Sequence, residues 1–287
     1  MSERRAYALR LIKKVSECIR QGVFRPLPVR TFPAAEVCQA FRHLAQARHI
    51  GKVAVTFEPG EVPAVPLGRR TSIRPDASYL ITGGLGGFGL STAQWLTEAG
   101  ARHLLLAGRS GASTEEARKT LETLRAKGVN VKIETVDISD PTQVETLIVR
   151  VKESMPPLAG VFHAAGVTAD DLLIHMNPEQ FERVMKPKMR GAWHLHTFTR
   201  HIPLDLFVLY SSAVSLLGNE GQANYSAANA FLDALAWRHT LEGLPALSVN
   251  WGVIDHIGMA ARTPEVLAHL SRAGLRAMPP QQALKTL

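Results

Sequence analysis

An open, parallel α/β sheet wound with helices on both faces is the fold this 287-residue sequence predicts, with a small α/β remnant at the N-terminal end. Two observations carry the prediction. From Ser78 onward short apolar runs alternate with amphipathic stretches. Strands read at 78–82, 103–108, 131–136, 158–164, 204–210 and 245–251, and helices at roughly 88–99, 114–127, 141–154, 178–200 and 222–243. Runs such as His103-Leu104-Leu105-Leu106-Ala107 and Leu206-Phe207-Val208-Leu209 are apolar without alternation, the mark of strands covered on both faces, and the intervening helices imply right-handed crossovers. The second observation is a glycine turn where the first strand meets its helix. Gly84, Gly86 and Gly89 form G-x-G-x-x-G there. One glycine allows the sharp turn, one lets backbone approach a pyrophosphate, and one lets the helix pack tightly on the sheet. The helix N-terminus then offers free N–H groups and a positive dipole end. Together these describe a doubly wound, Rossmann-like dinucleotide fold.

Ahead of that fold, residues 6–21 carry Leu9, Ile12, Val15 and Ile19 at helical spacing and end at Gly22. Phe24-Arg25-Pro26-Leu27-Pro28-Val29-Arg30 is an extended piece that cannot be helix interior. Phe32-Pro33 through His49 reads as a second helix and Gly51 to Phe57 as a strand, a unit too short for an independent core. Residues 58–77, with Pro59, Pro63, Pro66 and Pro75, read as an inter-domain linker, so the expected organisation is 1–57, linker 58–77 and catalytic domain 78–287. The final stretch, Pro280 to Leu287, reads as a helix.

Composition narrows the function classes. There is no apolar run of membrane-spanning length, and the Arg-rich start lacks a secretion-type apolar segment. Cys18 and Cys38 have no metal-type spacing, His194 and His196 lack a third ligand, and a reducing cytoplasmic setting without a metal is the expectation. The net charge of +8 suggests nucleic acid until it is located. Residues 1–57 hold 11 Lys/Arg against 3 Asp/Glu, and residues 58–287 hold 22 of each, so the larger part has no footprint for a polyanion.

The glycine turn Thr82-Gly83-Gly84-Leu85-Gly86-Gly87-Phe88-Gly89 is expected to hold the cofactor, and the end of the second strand to meet its adenosine ribose. An acidic residue there would select NADH. Gly108-Arg109-Ser110 stands there instead, with Arg109 twenty residues past Gly89. A guanidinium pairs bidentately with a 2′-phosphate that a carboxylate would repel, so the expected cofactor is NADPH. Asp137, in Val136-Asp137-Ile138 at the end of the third strand, is placed to meet an adenine amino group. His163-Ala164-Ala165-Gly166 closes the fourth strand with small residues that let backbone approach the cofactor.

Hydride transfer to a ketone leaves a developing alkoxide that needs a proton and polarising donors. A tyrosine serves if a cation favours its phenolate, so Tyr, Lys and a hydroxyl or amide are sought together. Tyr210-Ser211-Ser212 ends the fifth strand, Tyr225 and Asn229 lie four apart on one helix face, and Lys188 lies in Lys186-Pro187-Lys188-Met189-Arg190-Gly191. With the glycine turn, Ala107-Gly108-Arg109-Ser110-Gly111, His163-Ala164-Ala165-Gly166, Gly221-Gln222-Ala223-Asn224-Tyr225 and Val249-Asn250-Trp251-Gly252, residues 76–287 closely resemble the ketoreductase domain of modular polyketide synthases. Such domains are similar to short-chain dehydrogenase/reductases, with Asn229 where the wider superfamily has Lys and Lys188 supplied by the preceding helix. Arg25-Pro26-Leu27-Pro28, Phe41-Arg42 and His49-Ile50-Gly51-Lys52-Val53 resemble the closing segment of an enoylreductase domain, whose activity is not carried over.

The resemblance implies that Tyr225 protonates the carbonyl oxygen and that Ser212, thirteen residues earlier, hydrogen-bonds it. It implies that Lys188 biases Tyr225 and anchors the nicotinamide ribose, that Asn229 positions Lys188 or a relay water, and that Ile138 and Asn250 join the cofactor site. The implied substrate is a β-ketoacyl thioester on the phosphopantetheine arm of an acyl carrier protein, among other polyketide synthase domains. Thr168-Ala169-Asp170 and Asp171 keep the last acid of the Leu-Asp-Asp pattern of D-hydroxyl-forming domains, and Leu217 stands where the opposite type carries Trp, so a D-hydroxyl is expected. The last strand of the fold is expected to have no sequence here. The alternative is a non-catalytic structural module or an inactive fragment of a synthase.

Overall fold

Residues 2–25, 27–47, 49–57, 72–255 and 277–287 are described in the computed structural model, and the chain divides between residues 70 and 71 into two units. In the smaller unit α1 (Ser2–Arg20) precedes β1 (Val29–Pro33), a 3₁₀ turn (Ala34–Glu36), α2 (Val37–Ala45) and β2 (Lys52–Thr56), with β1 and β2 paired in parallel. Only Phe32 and Ala40 are buried among its described residues, and Leu9, Ile12, Val15 and Ile19 of α1 are exposed. The helix expected to begin at Phe32 begins later. Phe32 and Pro33 end β1 opposite Val55 and Thr56, because a proline drives the residue before it into extended backbone. The expected linker lies outside the described residues as far as residue 71. Ile73 packs against the core of the larger unit, and the Arg74 N–H donates to the Tyr79 hydroxyl at 2.6 Å.

The larger unit is a six-stranded parallel sheet of β3 (Ser78–Thr82), β4 (His103–Gly108), β5 (Asn130–Thr135), β6 (Leu158–His163), β7 (Leu206–Ser212) and β8 (Leu247–Trp251). Their order is β5-β4-β3-β6-β7-β8, so the winding reverses beside β3 and opens a crevice at the carboxyl ends of β3 and β6. Successive side chains point to opposite faces, so Tyr79, Ile81, Leu104 and Leu106 enter one apolar layer while Leu80, Leu105 and Val161 enter the other. The first layer is covered by α3 (Gly87–Glu98) and α4 (Glu115–Ala126), and the second by α5 (Pro141–Ser154), α7 (Gly191–Thr199) and α9 (Ala223–Leu241). Local chemistry starts the helices where the sequence turns amphipathic. Thr114 caps α4, and Asp140 caps α5 ahead of Pro141. Asn177 and Gln180 form a reciprocal capping box at α6 (Pro178–Met185). A short α8 (Val214–Leu217) interrupts the expected loop after β7, and an isolated bridge joins Ile254 to Met278. Pro280–Leu284 is helical, and no helix among the described residues is long and apolar enough to cross a membrane.

Between α7 and α9 two histidines are buried in edge contact, the His196 and His239 rings 4.7 Å apart and His239 stacked on Phe207 at 4.3 Å. Burial holds both imidazoles below the usual histidine range, with each ring's neighbours as smaller contributions. The unfolded chain therefore takes up protons near pH 6.5 that the native state refuses, and stability falls as pH drops below that value. Thermal melts should show a lower Tm at pH 5.5 than at pH 7.5, and His239→Phe, which keeps the stack, should flatten that dependence; an unchanged slope would contradict it.

Candidate active site

The glycine turn is shaped by what a side chain would strike. A Cβ at Gly84 would lie 2.7 Å from the Ile81 carbonyl oxygen, and one at Gly89 would lie 2.2 Å from the Gly83 carbonyl oxygen, so turn and helix are packed backbone to backbone. Gly83 has φ +69° and presses on Ala165, its own Cβ position 2.8 Å from the Ala165 nitrogen. At Gly86 a Cβ would meet nothing within 4 Å, leaving the start of α3 open to a phosphate. Gly89→Ala should cost about 1–3 kcal/mol by overpacking, read as a lower Tm, while parental stability would refute the close packing.

Beside this turn lies a cleft of about 130 Å³ lined by Gly83, Gly108, Arg109, Asp137, Ile138, Ala165 and Gly166. Arg109 and Ser110 form an exposed turn at the end of β4, and Arg109 has no ion-pair partner among the described residues. Asp137 lines the cleft with Oδ1 already accepting from the Ser139 N–H at 2.9 Å and hydroxyl at 2.7 Å. A second groove of about 160 Å³, between β5 and α5, has its charges spent on the Glu134–Arg150 pair at 3.0 Å. The expected residues Thr82, Leu85 and Phe88 turn their side chains into protein. Leu85 joins the core, Phe88 packs against Tyr210 and Trp251, and the Thr82 hydroxyl meets His163 Nδ1 at 2.7 Å.

His163 joins the end of β3 to the Lys188 segment. Its Nε2 faces the Lys188 carbonyl oxygen at 3.2 Å, which can only accept, so Nε2 carries the proton and Nδ1 accepts from Thr82. Burial, and next the charge of Lys188, depress its pKa to about 3 and keep it neutral. The carbonyl it holds belongs to a π-helical turn, Lys186–Arg190, inserted between α6 and α7 where one continuous helix is expected. Pro187 explains the insertion, because it lacks the N–H that would close a regular turn. The widened turn lowers Lys188 into the protein. A Cβ at Gly166 would sit 2.9 Å from Lys188 Cε, so Gly166 makes room for the lysine stem.

Lys188 is 4% exposed, and its Nζ donates to Asn229 Oδ1 and to the Tyr210 carbonyl, both at 2.8 Å. That ammonium lies 5.2 Å from the centre of the Tyr225 ring. Burial lowers its pKa to about 7, opposed by the charge of Asp233. Burial also raises the Tyr225 pKa, against hydrogen bonding from the Asn229 and Ser212 side chains. The phenol is therefore protonated at neutral pH and able to give a proton. Asn229 also meets backbone, its Nδ2 donating to the Tyr225 carbonyl at 2.8 Å. Sequence reasoning brings these four residues together, and the structure does so too.

It misses others. Asn224 is fully buried, donating to the Ala169 carbonyl at 2.8 Å and accepting the Tyr225 N–H at 2.7 Å, which ties the loop of Asp170 and Asp171 to the start of α9. Asp170 accepts from Gln222 at 2.8 Å, and the Asp171 N–H donates to the Gly221 carbonyl at 2.9 Å. The Asn250 side chain turns toward Asp233, Ser211 and Ser215. The signal in the sequence for Asn224 was its place immediately before Tyr225 in Gly221-Gln222-Ala223-Asn224-Tyr225. No group of three or more potential metal ligands exists among the described residues.

Residues 77–256 match the family model described as KR domain, and residues 1–55 match that of zinc-binding dehydrogenases. The reducing polyketide synthase PKS1 of Cochliobolus heterostrophus is 41% identical over 261 residues, covering 88% of this chain but 10% of the fungal protein. A solved A1-type ketoreductase superimposes with a TM-score of 0.71 at 40% identity, covering 78% of this chain and 47% of that one. Solved A-type ketoreductases from a modular polyketide synthase give 0.72 at 38% identity, covering 80% and 50%. The chain thus spans about a tenth of the length of this curated relative and about half of the solved chains.

Proposed function

This chain belongs to the KR domain family of ketoreductases, and from that premise we propose that it reduces a carrier-protein-bound β-ketoacyl thioester to the D-β-hydroxyacyl thioester with NADPH. The observation that carries the reading is Lys188 Nζ bridging Asn229 and the Tyr210 carbonyl beneath the ring of a protonated Tyr225. NADPH, when bound, supplies the hydride. The glycine turn fits its pyrophosphate, since backbone lies open at Gly86 and side chains at Gly83, Gly84 and Gly89 would collide with backbone. Arg109 and Ser110 suit the 2′-phosphate, while Asp137 and Ile138 flank the adenine side of the same cleft.

The chain's own residues perform the proton chemistry. Ser212 and Tyr225 donate hydrogen bonds to the ketone oxygen, and Tyr225 transfers its proton as negative charge develops there. Two of the three Lys188 donors are fixed by Asn229 and Tyr210, leaving the third for a ribose hydroxyl or the phenol oxygen. Its positive charge stabilises the phenolate left behind until a proton returns. The Asp170–Asp171 loop, tied to Gly221, Gln222 and Asn224 ahead of Tyr225, is the segment proposed to orient the acyl chain for a D-hydroxyl. The acyl carrier protein and neighbouring synthase domains are the proposed partners. Thermal shift with NADPH against NADH, followed by chiral analysis of the reduced thioester, tests the reading. A rise in Tm with NADPH and a D-product support it; no shift with either cofactor favours a non-catalytic fragment.

A further inference from the structure

We propose that Asp233 is a positioning residue of this site, gathering Ser215, Ser248 and Asn250 so that the Ser211–Ser212 strand end and the Lys188–Asn229 pair are held against Tyr225. The inference rests on the reductase reading. Tyr225, Asn229 and Asp233 follow one another at intervals of four along α9 and so share one face of the helix. From α8 the Ser215 hydroxyl donates to Asp233 Oδ2 at 2.6 Å, and from β8 the Ser248 hydroxyl donates to Oδ1 at 2.6 Å. Asn250 Nδ2 donates to Oδ2 at 3.0 Å and also approaches Ser211 Oγ at 3.2 Å and the Ser212 carbonyl at 3.4 Å. The Ser211 hydroxyl in turn donates to the Asn229 carbonyl at 3.2 Å. One carboxylate thus joins three elements that frame the serine, the asparagine and the tyrosine.

Charge adds a second role. Burial raises the carboxyl pKa of Asp233, but the hydrogen bonds from Ser215, Ser248 and Asn250 outweigh it and keep the group ionised. The negative charge then supports the ammonium of Lys188 against desolvation. The other titratable groups around Lys188 do not supply that charge. His163 of β6 is neutral, the Tyr210 phenol of β7 is protonated and turned to Thr92, and Tyr225 of α9 is protonated. On the lysine's own segment, Lys186 and Arg190 pair with Glu182 of α6 on the exposed side, and Asp170 acts on Tyr225.

The test compares the parent chain with Asp233→Asn and Asp233→Ser by two readouts. NMR of isotope-labelled lysine, with the Lys188 signal assigned by its loss in Lys188→Met, follows the ionisation of that ammonium without any substrate. The neutral variants should lower its midpoint by about half to one pH unit, and Asp233→Glu should restore it. Steady-state kinetics with NADPH and a β-ketoacyl thioester should show kcat reduced about tenfold or more, KM little changed, and the basic limb moved to lower pH. A folded neutral variant with the parental Lys188 midpoint overturns the proposal. Should neither neutral variant fold, Asp233→Glu decides, with a lowered kcat at a parental midpoint expected and a parental kcat overturning it. An inactive parent refutes the reductase reading, and the Lys188 titration still judges Asp233.

Discussion

Tyr225→Phe should lower kcat about 10²–10⁴-fold, or about 3–5 kcal/mol of transition-state stabilisation, with KM for the thioester nearly unchanged. The variant removes one oxygen and keeps the ring that lies 5.2 Å from the Lys188 ammonium, so fold and cofactor cleft are preserved. What disappears is the proton source of the proposed mechanism. Burial holds the phenol in its protonated form against the Asn229 and Ser212 side chains, which favour the phenolate, a state ready to release a proton as charge develops on the substrate oxygen. Ser212 remains in the variant, and in the proposed mechanism it still polarises the carbonyl and sets the residual rate. Steady-state kinetics beside a thermal melt read both effects, and a variant as active as the parent would remove the proposed mechanism.

Arg109→Ser should weaken NADPH binding about tenfold to a hundredfold, the worth of about 1.5–3 kcal/mol for hydrogen bonds to a charged group, and leave NADH binding unchanged. The guanidinium stands at the end of β4, exposed, and lines the cleft that also holds Asp137 and Gly83. No ion pair competes for it among the described residues, so its charge is available to a 2′-phosphate. Isothermal titration with the two cofactors separates the outcomes. Equal losses for both would assign Arg109 to structure rather than to phosphate recognition.

The winding of the sheet was legible because buried parallel strands are apolar throughout, and each of the six strands stands within two residues of its expected place. The Lys188, Ser212, Tyr225 and Asn229 set was legible through family spacing, since Lys188 arrives from a segment 37 residues before Tyr225 and no periodicity connects them. Other features were not legible. Phe32-Pro33 took the strand because the restriction before proline outweighs an amphipathic pattern that follows it. Pro187 marks the π turn locally, but nothing local announces the tertiary bond from His163 to the Lys188 carbonyl. Asp233 reads in the sequence as one more polar residue on a helix, and only the folding of β7, α8 and β8 around it gathers its partners. The family resemblance implied Asn250 in the cofactor site, and nothing in the sequence announced that its amide meets that same carboxylate and Ser215.

Deuterium tracing tests the central claim most directly. The chain is given NADPH carrying deuterium at the transferable position of the nicotinamide, together with a β-ketoacyl thioester, and the product is read by mass spectrometry. The account predicts one deuterium on the β-carbon of a β-hydroxyacyl thioester, with the hydroxyl proton drawn from solvent. Product without the label, or no product from a chain that binds NADPH, would contradict it.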